Sequence, residues 1–474
     1  MKPLIALFLF AFAAVAEYRP PNIIVVLADD LGYGDLGCYG NKIVKTPHLD
    51  RFARQGLRFT DCYSAHPNCS PSRTGMMTGR TPTRVGVHNW IPMFSPMHVP
   101  ASETTIASIL QQGGYDTAHV GKWHLNGLRG PGAPILKDDI RSPAEFGFDE
   151  WLSVTNFFDM NPILSREGSF EEYEGDSSEI VVDQAIDFLK RHHQAGPTFT
   201  VIWYGTPHSP FMSYEKDRQQ FAKLDDKSSS HYAELVAMDR SIGTLRTALR
   251  TLKIAKNTLL WFNSDNGGLN GIKPGTVGGL RGFKNTVYEG GLRVPAVIEW
   301  PNGIRESRIT EFPACTMDIY PTLVKAAGAE SSTIVQDGMD LTPLFSKEQG
   351  RRDKPIGFRH TGRTAWIDNN LKLVRPNAKN PPVFELYDLD KDPQESTNLF
   401  RQKALVAAPM MQAWATWNAS VEASVAGKDY PEGSVVPPDP GPRTWPQMKE
   451  YAPYLEAWKN RPEFKRYIKS PPGK

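Results

Sequence analysis

Cysteine is scarce in this chain: four in 474 residues, at Cys38, Cys62, Cys69 and Cys315. That density excludes a fold held together by disulfides, and it leaves open which of the four could pair. Charge of one sign is lacking too. The 54 basic and 52 acidic side chains leave a net charge of +2, without the basic excess of a nucleic-acid surface. No apolar run is long enough to span a bilayer. Repeats, heptads and low-complexity tracts are missing ahead of the tail. The chain is long enough for one large domain and a smaller one.

The first 16 residues read as a signal peptide. Lys2 supplies the charged start, residues 4–12 a short apolar stretch, and Ala14-Val15-Ala16 a small-residue cleavage site. The mature chain is therefore expected to begin at Glu17 and to be exported.

Residues 22–27, Asn-Ile-Ile-Val-Val-Leu, have the continuous β-branched pattern of a parallel strand buried on both faces. They lead into Asp29-Asp30. The carboxyl ends of such strands are where open α/β sheets place ligands, and a hard cation relieves the repulsion between adjacent carboxylates. Further strands predicted at 116–120, 197–204 and 258–262 lead into Lys122-Trp123-His124, Pro207-His208 and Asp265-Asn266-Gly267-Gly268. Lys284 follows, ahead of Glu289-Gly290-Gly291. Helices are predicted from Pro47 to a stop at Gly56, from Ile106 to Gly113-Gly114, and over 178–192 and 232–252. Residues 126–176 read as a long loop walling a pocket. The pattern predicts an α/β fold: a large mixed, mostly parallel sheet sandwiched by helices. After Phe345 the alternation stops. Short antiparallel strands at 364–367, 371–374 and 384–388 and a helix at 404–421 predict a smaller C-terminal α+β subdomain. The expected divisions are 17–345, 346–430 and a Pro-rich wrapping tail, 431–474.

One stretch organises the rest: Cys69-Ser70-Pro71-Ser72-Arg73, continued to Thr78-Gly79-Arg80. Pro71 suits the first turn of a helix, and Asn68 or Ser70 can cap it. Cys69 would then lie at the helix N-terminus, which attracts anions, with Arg73 on the same face. Together they make a site for a tetrahedral oxyanion. This pattern resembles the signature of the type I sulfatases, within the alkaline-phosphatase-like superfold. The strand-end blocks named above extend the resemblance from about Asn22 to Leu399.

The resemblance implies that Cys69 is oxidised to formylglycine by a maturation enzyme, and that its hydrated aldehyde attacks sulfur. Asp29, Asp30, Asp265 and Asn266 would bind one Ca²⁺, a set of oxygen donors suited to that ion. Arg73, Lys122 and Lys284 would neutralise charge in the transition state. His208, with Lys284, would protonate the leaving oxygen, and His124 would take the proton that releases sulfate. Sulfated carbohydrate is the expected substrate. Polar-aromatic clusters at His88-Asn89-Trp90, at Asn156-Phe157 (with Phe158-Asp159) and at Arg359-His360 are candidate selectors. The alternatives are a phosphonate or phosphate ester hydrolase of the same superfold, or a sulfoglycan-binding protein with a dead site.

Overall fold

The computed structural model describes residues 19–92, 95–126, 133–156, 160–379, 381–435, 445–465 and 468. Its strands, in chain order, are β1 Asn22–Ala28, β2 Leu57–Phe59, β3 Cys62–Tyr63, β4 Asp116–Lys122, β5 Glu150–Val154, β6 Ile163–Arg166, β7 Ser169–Glu172, β8 Thr198–Trp203, β9 Thr258–Ser264, β10 Ala296–Glu299, β11 Arg308–Thr310, β12 Ala314–Cys315, β13 Ile356–His360, β14 Arg363–Asp368, β15 Leu371–Arg375 and β16 Glu385–Asp388. Ten form one mixed sheet in the order β11-β2-β10-β9-β1-β8-β4-β5-β6-β7. The central run β9-β1-β8-β4-β5 is parallel. Strands β13–β16 form a separate antiparallel sheet.

Alternation along β1 divides the core between two layers. Ile23, Val25 and Leu27 face a cluster that includes Met76 and Met77 of the helix Cys69–Thr78. Ile24, Val26 and Ala28 face the helices Ser177–His192 and Asp226–Thr251. Successive strand side chains point to opposite faces, so a strand covered on both sides needs a continuous apolar run. The same strand therefore holds both layers of helices against the central sheet.

Some expectations change. Residues 126–176 are not one long loop: β5, β6 and β7 run through them and extend the sheet to one edge. They are short, four or five residues each, and only β7 at the edge is largely exposed. Strand β13 was also missed, and the helix expected at 232–252 begins at Asp226. Gly56 does follow the helix Pro47–Gln55, but with extended backbone at φ −115° rather than in a left-handed cap. It must be glycine because a Cβ there would lie 2.4 Å from the Ile298 carbonyl oxygen. The tail is more than a wrapping: Trp445, Tyr451, Trp458 and Phe464 are buried against Ala133, Leu136 and Ile163.

The antiparallel sheet is packed on both faces. Ile356, Phe358, Ile367 and Val374 meet Tyr63, Ala65, Val287 and Leu292 of the main body. Trp366, Leu373 and Leu386 meet Met410, Trp417 and Val421 of the helix Ala404–Val425. Lys372 is fully buried between Glu289, at 2.8 Å, and Glu395, at 2.9 Å. Breaking such a buried pair leaves uncompensated charge, so the network fixes this sheet against the loop that follows Lys284.

Candidate active site

Four adjacent parallel strands end at one edge, and in spatial order each leads into a candidate residue. β9 leads into Asp265-Asn266, β1 into Asp29-Asp30, β8 into His208, and β4 carries Lys122 and continues to His124. Backbone bonds keep the ends in register beyond the sheet: Asp29 N donates to Thr206 O at 2.9 Å, and Asp265 N to Ala28 O at 3.0 Å. Gly121, at φ +107°, precedes Lys122 where a Cβ would lie 2.0 Å from the Trp203 carbonyl oxygen. Only glycine lets β4 approach β8 there.

The helix Cys69–Thr78 ends against this edge with Cys69 as its first residue. Asn68 is the cap: its side chain accepts from Cys69 N at 3.0 Å and donates to Asn285 Oδ1 at 2.8 Å and Asn89 Oδ1 at 3.1 Å. Burial pushes the Cys69 thiol up to about 12, against the pull of Lys284 and Lys122. A thiol held protonated is a poor nucleophile.

Fixed charges surround that thiol. Arg73 donates to Asp265 Oδ2 at 2.9 Å and to Lys122 O at 2.9 Å, and lies 3.4 Å from Asp29 Oδ2. The guanidinium also sits 4.8 Å above the Trp203 ring. Lys122 pairs with Asp29, and Lys284 lies 2.6 Å from Asp30 Oδ1. Burial would raise the Asp29 carboxyl, but Lys122, then His208, Arg73 and Lys284, hold it well below the usual range. Burial and the Asp29 charge push Asp265 up. Burial works against the Lys284 ammonium, but Asp30, then Cys69, Asp29 and Asp265, together outweigh it and raise the group above the usual lysine range.

One carboxylate oxygen each from Asp29 and Asp30, Cys69 Sγ and a His208 ring nitrogen all lie within 4.8 Å of one another. Asn266 Nδ2 donates to Asp30 Oδ1 at 2.8 Å, and Asp30 N to Asp265 Oδ1 at 3.1 Å. Asp265 faces Arg73 with its other oxygen. Asp29 Oδ1 and Asn266 Oδ1 are buried with no hydrogen-bond partner among the described residues. Two orphaned acceptors beside two further carboxylates fit a hard divalent cation.

The two histidines differ in depth. His208 keeps 16% of its side chain exposed and lies 3.5 Å from Asp30 Oδ2. Burial, then Lys284, brings its imidazole down to about 4. His124 is 4% exposed, with Nε2 3.2 Å from Ile91 O. Burial, then Lys122 and Arg73, holds it well below the usual histidine range.

Residues 21–329 match the sulfatase family, about two thirds of the chain. The chain belongs to the sulfatase family. Residues 281–414 also match the N-sulphoglucosamine sulphohydrolase C-terminal family. Human arylsulfatase A is 31% identical over 467 residues, covering 86% of this chain and 89% of that protein. The N-acetylgalactosamine-6-sulfatase of Canis lupus familiaris is 32% identical, covering 76% and 72%. Among solved structures, Ps i-CgsB superposes with a TM-score of 0.75 at 26% identity, covering 95% of this chain and all of that one. A second structure of Ps i-CgsB, in complex with k-i-k-neocarrahexaose, has the same TM-score and coverage at 25% identity. This protein is thus a sulfuric ester hydrolase.

Not every part of the sulfatase signature lies in the pocket. Gly79, at φ +67°, closes the helix, and its carbonyl accepts from Asp337 N and Gly338 N. Arg80 pairs with Glu103 at 2.8 Å and with Asp429, anchoring the segment after the helix Ala404–Val425. Of the candidate selectors, Asn89 is tied to the Asn68 cap. Trp90 is 45% exposed between Asn89 and Ile91, whose N donates to Ser70 Oγ at 3.0 Å. Asn156 is half-buried, and Phe157 and its neighbours to 159 lie outside the described residues. His88, Arg359 and His360 line a cleft of about 380 Å³. There Arg359 is paired with Glu422 at 2.7 Å, and His360 packs edge-on to His66 with ring centroids 4.9 Å apart. Sequence reading missed Asn285 and Trp203. Asn285 alone carried a local signal, an asparagine beside a candidate lysine; its backbone is at φ +71°.

Proposed function

We propose that this sulfatase removes sulfate from carbohydrate outside the cytoplasm, using formylglycine made from Cys69 by a maturation enzyme, and one Ca²⁺. The observation that carries this reading is Cys69 itself: a buried thiol, pushed up to about 12, at a helix start among Arg73, Lys122 and Lys284. It is unsuited to act as a thiolate but surrounded by the charges a sulfate group needs. Formylglycine supplies a hydrated aldehyde as nucleophile, and the cation supplies positive charge for a sulfate oxygen. Asp29, Asp30, Asp265 and Asn266 would hold the cation, which would satisfy the orphaned oxygens of Asp29 and Asn266.

The chain's own groups do the rest. Lys122 and Lys284, paired with Asp29 and Asp30, bind the sulfate oxygens as negative charge grows. Arg73 fixes Asp265 and, through Lys122 O, the end of β4. His208, the more exposed of the two histidines, gives the departing alcohol oxygen its proton. His124, deeper and held well below the usual histidine range, takes the proton that releases sulfate.

Carbohydrate is favoured by the relatives' substrates: an N-acetylgalactosamine-6-sulfatase by name, and a solved neighbour in complex with a neocarrahexaose. Trp90, exposed and pinned beside the Asn68 cap, offers an apolar face for a sugar ring. The test is a panel of mono- and disaccharide sulfates differing in sulfate position, beside aryl sulfates and phosphate and phosphonate esters. Sulfate release from sugar sulfates is expected, with a preferred position. Turnover of only the phosphorus esters, or binding without turnover, would overturn the proposal.

A further inference from the structure

The hairpin joining β13 to β14 reaches the catalytic loops with its tip. His360 and Arg363 face each other across the turn, with Thr361 and Gly362 between them. Each holds a different loop. His360 packs on His66, three residues before Cys69. Arg363 Nη1 donates to Asn285 O at 3.2 Å, next to Lys284. The tip therefore straddles the nucleophile loop and the Lys284 loop, held there by the packing of the small sheet against the main body and by the Lys372 network.

The two arginines of this hairpin differ in a way that matters. Arg359 is neutralised by Glu422 at 2.7 Å. Arg363 has no carboxylate partner among the described residues, and its one hydrogen bond is to a carbonyl. Its charge is felt locally: after burial, it is what lowers His360. A guanidinium carries five donors in a planar fork that matches an oxyanion. The three residues just before it, His360, Thr361 and Gly362, line the cleft of about 380 Å³ together with His88 and Met97. His88 adjoins Asn89, which is bonded to the cap of the Cys69 helix. The hairpin tip thus lines the cleft with His360, Thr361 and Gly362 and reaches the Lys284 loop with the Arg363 guanidinium.

We propose that Arg363 reads a second oxyanion on the substrate, carried by the sugar next to the one being desulfated, and that the cleft behind it receives that sugar. The inference rests on the sulfatase reading and deepens it: the substrate is an acidic oligosaccharide with two anionic groups. The second group is a sulfate or a uronate carboxylate, either of which the fork binds through two parallel hydrogen bonds. Arg363 is a specificity residue and takes no part in the bond-breaking step.

Steady-state kinetics on four substrates test this: a neutral monosulfated disaccharide, a disulfated one, a monosulfated one containing a uronate, and an activated aryl sulfate. Arg363→Gln keeps a donor for Asn285 O and removes the charge. It is expected to raise KM about 10–100-fold for a doubly anionic disaccharide. Its kcat, and turnover of the aryl sulfate and the neutral disaccharide, are expected to stay unchanged. Arg363→Lys should recover part of the loss, because the charge returns without the fork. Whichever acidic substrate shows the KM effect identifies the anion. Equal slowing of all four substrates would assign Arg363 to positioning the Lys284 loop, and no change in any would remove it from substrate reading; either overturns the proposal. A wild-type protein inactive on all four would overturn the sulfatase reading itself, and this inference with it.

Discussion

Replacing His208 by alanine is expected to slow desulfation of sugar sulfates about 10²–10⁴-fold, the usual contribution of a positioned general acid. A sugar alkoxide is a poor leaving group and needs a proton as the S–O bond breaks. A phenolate carrying electron-withdrawing groups does not, so an activated aryl sulfate should lose far less. In the free protein His208 is neutral at pH 7, brought down to about 4 by burial and Lys284. A bound sulfate ester adds negative charge beside it, which favours the imidazolium. His124→Ala should behave differently. In the proposed mechanism His124, whose Nε2 lies 3.2 Å from Ile91 O, takes its proton after the alcohol has left, so both substrates should slow to one rate after a burst of alcohol release. Equal slowing of both substrates by His208→Ala, without a burst, would make His208 a sulfate ligand instead.

Chelation is expected to abolish turnover, and Ca²⁺ to restore it. Asp29→Asn tests the reason. The Asp29 carboxylate is ionised by Lys122, His208, Arg73 and Lys284, and one of its buried oxygens has no hydrogen-bond partner among the described residues. The amide keeps the shape and loses the charge that a hard cation requires. Activity is therefore expected to fall to background and to stay there when Ca²⁺ is added. A second readout is independent of turnover. A cation that binds only the folded protein stabilises it by about 2.7 kcal/mol at one hundred times its Kd. The thermal midpoint of the wild type should rise with Ca²⁺, and that of Asp29→Asn should not. A wild-type midpoint indifferent to Ca²⁺, or two zinc ions per chain on metal analysis, would favour the phosphatase-like alternative.

The central strands were legible because burial on both faces demands an unbroken apolar run, as in Asn22–Ala28, and because the polar residues that follow stand out against it. The neighbours of these residues across the sheet were not legible. Nothing local says that Asp265 turns one oxygen to Arg73, or that Trp203 lies beneath its guanidinium. The same holds for Arg80 and Glu289, which look like site residues beside a strong motif. One anchors a distant segment and the other a buried lysine of the small sheet. Strands β6 and β7 escaped because each is only four residues long, and β7, with Ser169, Glu171 and Glu172, shows no apolar alternation. Arg363 escaped because its meaning depends on Asn285 and on the absence, among the described residues, of a carboxylate partner such as Arg359 has in Glu422, and both come from sequence-distant contacts.

The most direct test of the central claim is mass spectrometry of the peptide containing position 69, taken from protein whose turnover has been measured on the same sample. The account predicts an aldehyde at position 69, in a fraction that tracks specific activity across preparations. It also predicts that Cys69→Ser folds normally but does not turn over, because serine has no second hydroxyl to release the sulfate it would accept. Full activity in protein carrying only an unmodified thiol at position 69 would contradict it.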